Sequence, residues 1–98
     1  MPHEIPQSLH STIRLIERSY PEGLSEEVLL PVLCVLYDEL SDRNLALVAS
    51  QVACLEASMA LNKVYEAAAL DVHDAHVQAA AERLKKHGYE AWLTEVES

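Results

Sequence analysis

Ten consecutive residues, Val28 to Tyr37, carry no charged or amide side chain. A helix on a protein surface would interrupt such a run every second or third residue, so a segment apolar on all sides has to be enclosed by neighbours. It is too short to cross a bilayer, which takes about 20 apolar residues. The run therefore predicts the central helix of a small domain, with the rest of the chain supplying the helices around it.

The chain has the means to do so. Half of its 98 residues are hydrophobic, enough for one domain over 1–98 with a core that needs no metal or disulfide staple. Phe is absent, so that core is aliphatic, built by closely approaching helices in which alanine lets backbones draw near. Two glycines and four prolines leave little turn chemistry for hairpins. The predicted class is all-α: a compact orthogonal bundle of about five helices around the central apolar one.

Sixteen acidic against seven basic residues give a net charge of -9. That balance repels phosphate backbones and anionic lipid surfaces, so neither nucleic acid nor membrane is an expected partner. The start of the chain, Met1, Pro2, His3 and Glu4, has no basic segment followed by an apolar one, and the expected compartment is the cytoplasm. Cys34 and Cys54 both lie among apolar residues and read as buried thiols acting as small hydrophobes, a disulfide being the minor alternative.

Along the chain, Leu9, Ile13, Ile16 and Tyr20 form one stripe of a first helix from Pro6 to Ser19. Tyr20-Pro21-Glu22-Gly23 ends it in a sharp turn. Pro31 would break a helix begun at Ser25, so a short helical turn over Ser25 to Leu29 is predicted, then a central helix from Pro31 to Leu40. Ser41 caps a third helix with Leu45, Val48, Val52 and Leu55 inside. Ser58 is the expected cap of a fourth, with Leu61, Val64, Tyr65 and Ala68 on one face. Asp71 is the expected cap of a fifth, which buries Val77, Ala81 and Leu84 and stops at Gly88. Tyr89, Trp92, Leu93 and Val96 then form a short helical or extended tail over the core.

Tyr20-Pro21-Glu22-Gly23-Leu24, then Leu30-Pro31-Val32-Leu33, Leu40-Ser41-Asp42, and Arg83-Leu84 with Gly88-Tyr89 follow in the order and approximate spacing of a small bacterial family, domain of unknown function 3349, which the chain resembles from about Ile13 to Tyr89. The resemblance implies a compact all-helical domain of roughly five helices and no activity. Two departures stand out: Lys63 to Leu84 is a few residues longer than the family pattern and lacks its usual proline, and Tyr89 stands where a tryptophan is common.

No constellation in the sequence names a reaction. His73 and His76, flanked by Asp71 and Asp74, offer two imidazoles and a carboxylate, but the spacing alone is a weak metal signal. Neither cysteine has a basic sequence neighbour to lower its pKa, and there is no G-x-S-x-G elbow or glycine-rich phosphate loop. Catalytic, metal and cofactor sites are accordingly expected to be none. The economical reading is a non-catalytic protein-interaction or self-association module; the alternative is a small-molecule-binding protein or small enzyme with a site between helices. The expected contact surface is Tyr20, Pro21, Glu22, Gly23 and Leu24 with Trp92 nearby, because a rigid turn loses little entropy on binding and Tyr and Trp suit interfaces. The competing explanation is architectural: the turn only reverses the chain, and Tyr20 and Trp92 seal the core. On the first view Glu22→Arg changes only surface charge.

Overall fold

The computed structural model describes residues 9–97, apart from the side chains of Glu26 and of residues 95–97. Among them are six helices and no strand: α1 (His10–Ser19), α2 (Glu26–Leu36), α3 (Asp42–Ala53), α4 (Ala57–Ala68), α5 (Ala75–Lys86) and α6 (Tyr89–Glu97). Pro6 lies outside the described residues, as does the side chain of Val96.

The apolar run is α2, and it is central: it packs against α3, α4 and α5, with Leu29, Val32, Leu33, Cys34 and Leu36 buried. It is also continuous, which corrects the predicted break. Pro31 sits inside the helix, where the missing N–H and the ring clash cost about 3 kcal/mol. Burying Leu29, Val32, Leu33 and Leu36 contributes about 1.5–3 kcal/mol each, so packing outweighs the break. The helix stops at Leu36 and not at Leu40. Asp38 and Glu39 follow, and carboxylates are disfavoured beside the negative pole of a helix C-terminus. Two turn bonds, Tyr37 N–H to the Cys34 carbonyl and Glu39 N–H to that of Leu36, close the end.

Ser41 caps α3 as predicted, its hydroxyl accepting the Asn44 N–H at 3.1 Å. Leu45 and Val48 are buried, whereas Val52 and Leu55 are half-buried at the far end. The α3–α4 corner was not legible. Cys54 adopts φ 56°, ψ 44°, the left-handed conformation in which glycine usually ends a helix. The N–H groups of Cys54 and Leu55 both reach the Ser50 carbonyl, while the Ser50 hydroxyl donates to the Leu55 carbonyl at 2.6 Å. α4 therefore starts at Ala57 after Glu56, not at a Ser58 cap, and leaves at 113° to α3. The same corner exposes Cys54, which corrects the expectation of two buried thiols; both are free.

α4 buries Ala60, Val64 and Ala67. Of its predicted inner face only Val64 is fully inside: Leu61 is half-buried, and Tyr65 and Ala68 are exposed. Asp74, not Asp71, caps α5, accepting the His76 N–H at 2.8 Å. Asp71 instead builds the preceding turn, its carboxylate accepting the His73 N–H and its carbonyl the Asp74 N–H. Val77, Ala80 and Leu84 face inward. The tail is helical, and Trp92 plugs the core at 1% exposure, its indole N–H donating to the Thr12 hydroxyl at 2.7 Å. Among the described residues no single helix is long and apolar enough to cross a membrane.

Candidate functional site

The corner at Tyr20–Leu24 is a hydrogen-bonded turn: the Gly23 N–H donates to the Tyr20 carbonyl at 2.9 Å. Pro21 occupies the second position, where a fixed φ is an advantage. Gly23 follows at φ +92°, a conformation that L side chains rarely adopt. The local sequence thus accounts for the shape of the turn.

Its anchoring comes from α5, some sixty residues away. The Arg83 Nε donates to the Ser19 carbonyl at 2.6 Å, its Nη2 donates to the Glu22 carboxylate at 2.7 Å, and its guanidinium lies 4.2 Å from the centroid of the Tyr20 ring. One side chain therefore satisfies a carbonyl at the end of α1, pairs the turn's acid and stacks on its aromatic ring. Arg18 reciprocates, donating from Nε to the His87 carbonyl at the end of α5. Each of the two helix C-termini is thus met by a cation from the other helix, the favourable pole for positive charge. In the sequence Arg83 reads only as a helix-end charge; nothing in its local pattern shows that it reaches Tyr20.

The electrostatics follow from these contacts. A hydrogen bond from its own backbone N–H, reinforced by Arg83, holds the Glu22 carboxyl below the usual carboxylate range. Burial pushes the Tyr20 phenol up by more than the neighbouring Arg83 lowers it. Glu22 is consequently part of a clamp, and Glu22→Arg is not the surface-only change that the sequence suggests: it would set two guanidinium groups against each other.

Between the turn, α1 and the end of α3 lies a half-open groove of about 320 Å³. Ile16, Tyr20, Pro21, Leu24 and Val52 make its apolar wall, and Glu17 and Gln51 add polar groups. Of the predicted contact residues, Tyr20, Pro21, Gly23 and Leu24 line it, while Glu22 points to Arg83. Tyr20 is 5% exposed, so its ring is mostly wall and core. Trp92 is a core residue, packed beside Tyr89 with ring centroids 5.6 Å apart, and has no surface to offer a partner. This placement corrects its assignment to a contact surface: an indole is buried when its N–H finds an internal acceptor, here Thr12.

Elsewhere the chemistry is sparse. His76 Nδ1 lies 3.3 Å from the Asp74 carboxylate, but both are solvent-exposed. Among the described residues no group of three or more His, Cys, Asp or Glu is placed to hold a metal ion. Burial, and then the charges of Asp38, Asp71 and Asp74, raise the Cys34 thiol, the opposite of what a nucleophile needs. No family model, no curated protein and no solved structure matches the chain.

Proposed function

We propose that the domain is a non-catalytic module that binds another protein or a second copy of itself through the groove beside the Tyr20–Leu24 turn. The observation that carries this reading is the clamp. Arg83 fixes the turn from α5, so the apolar wall of Tyr20, Pro21 and Leu24 is pre-organised and loses little entropy on binding. The groove is open along one side, as suits an extended or helical segment, and its lining brings no set of ionisable groups onto one point. The net charge of -9 argues for a protein partner over nucleic acid or membrane, and a cytoplasmic site of action belongs to the same reading. The resemblance to domain of unknown function 3349 supports the helical order and adds no activity.

A small-molecule ligand is the second reading, because about 320 Å³ lies at the lower end of the volumes that such sites occupy. One experiment addresses both. Gln51→Arg and Glu17→Lys alter exposed groove residues without touching Arg83. The module reading expects wild-type protein to gain mass by light scattering, with itself at rising concentration or with a partner captured from native lysate, and both variants to lose that gain at unchanged melting temperature. A metabolite that raises the melting temperature of the wild type and not of the variants, without any gain in mass, would establish the second reading instead.

A further inference from the structure

A face distinct from the groove carries an interaction of its own. Leu61, Tyr65 and Ala68 fall at i, i+4 and i+7 of α4 and so share one side of the helix. That stripe has the composition of a buried face, yet α2 and α3 pack against Ala60, Val64 and Ala67 and leave it outside. Tyr65 is 54% exposed, and Val72 in the connection to α5 is 54% exposed as well. These are two of the three large hydrophobic residues exposed among the described residues.

The rim of this face decides what suits it. Tyr37, at the end of α2, is close enough to Tyr65 for the two phenols to interact, and its ring is bordered by Asp42 and Asp38. Asp38 in turn lies within electrostatic range of Cys34, as do Asp71 and Asp74 on either side of Val72. The facing titratable groups are thus Asp38 from the α2 end, Asp42 from α3, and Asp71, His73, Asp74 and His76 from the α4–α5 connection. The only one of these carboxylates with an ion-pair partner among the described residues is Asp74, which meets exposed His76. Like charges gathered around an apolar strip raise the local potential and favour a partner of opposite sign.

We propose that the α4 face formed by Leu61, Tyr65 and Ala68, with Val72 beyond it, docks a basic amphipathic segment of another protein. Its apolar residues cover Tyr65 and Val72, and its Lys or Arg side chains meet Asp38, Asp42 and Asp71. A second copy of this chain is the poorer occupant, because it would bring a second -9 charge to the same rim. Nucleic acid is repelled by the carboxylates and finds no cation on this face.

The test uses the full chain and a synthetic amphipathic helix of leucine and lysine, with its leucine and glutamate counterpart as control. Backbone amide shifts are followed in a titration at low and moderate salt. The expected result is that the basic peptide moves the amides of Tyr37, Tyr65, Ala68 and Val72, that salt weakens it, and that the acidic peptide moves none. Tyr65→Ala and Asp38→Arg should each weaken binding about tenfold. Neither should lower the melting temperature, since alanine is a good helix former and a cation suits the end of α2. Shifts confined to the groove around Leu24 and Val52, equal binding of both peptides, or undiminished binding by both variants would overturn the proposal. So would a wild-type dimer that Tyr65→Ala dissolves, which would show that a second copy covers the face.

Discussion

The bond between Trp92 and Thr12 offers the sharpest measurement. Thr12 is fully buried, Trp92 is 1% exposed, and their polar atoms are 2.7 Å apart across 80 residues of sequence. Thr12→Val keeps the shape of the side chain and removes the acceptor, so the buried indole N–H loses its partner while packing is preserved. An orphaned donor costs its desolvation, about 1–3 kcal/mol, against about 1 kcal/mol for a hydrogen bond exchanged with water. For a domain of this size 1 kcal/mol moves the melting temperature by about 4–8 °C, so a loss of about 2 kcal/mol lowers it by about 8–16 °C. Thr12→Ser, which retains the hydroxyl and gives up one methyl, should cost about 0.8 kcal/mol. Urea unfolding followed by far-UV circular dichroism gives both values. Adding Trp92→Phe to Thr12→Val completes a double-mutant cycle in which the coupling should reach about 1 kcal/mol or more, since the second change removes the donor that the first had stranded. If Thr12→Val stays within about 0.5 kcal/mol of the wild type, the indole is not the buried, bonded anchor of α6 and the reasoning fails.

Arg83→Met should destabilise the protein by about 1–2 kcal/mol through the lost Ser19 and Tyr20 contacts, the partly exposed Glu22 pair adding little; amide shifts at Gly23 would report release of the turn. The carboxyls of Glu22 and Asp74 are both held below their ordinary values, the first chiefly by its own backbone N–H and the second by the His76 N–H. A depressed pKa contributes stability that is complete above the unfolded-state value and disappears as pH falls through the folded one, so acid should destabilise the protein below the usual carboxylate range. Glu22→Gln and Asp74→Asn should flatten that decline in urea midpoints taken across pH. A thiol reagent should label Cys54 in the native protein and Cys34 only on unfolding; mass spectrometry showing the reverse order would contradict the burial pattern. Cys54→Gly should stabilise the fold by about 0.5–1 kcal/mol, because glycine relieves the left-handed backbone at φ 56°.

Much of the architecture was legible in residue order. The uninterrupted run from Val28 to Tyr37 required enclosure, and the stripes Ile13–Ile16, Leu45–Val48 and Val77–Leu84 together with Ser41 required helices around it; these depend on periodicity and local hydrogen bonding, which a sequence carries within a few residues. The shape of the Tyr20–Gly23 turn was legible for the same reason. Tertiary structure decided the rest. Pro31 stays helical because the burial around it outweighs the local penalty. Cys54 ends α3 because the Ser50 carbonyl and hydroxyl support a conformation that cysteine alone disfavours. α4 turns Tyr65 outward because only one of its two apolar stripes can face α2. Arg83 reaches Tyr20 and Glu22, and Trp92 reaches Thr12, across 61 to 80 residues of chain. Such pairings depend on where folded elements come to rest, and no local pattern encodes that position.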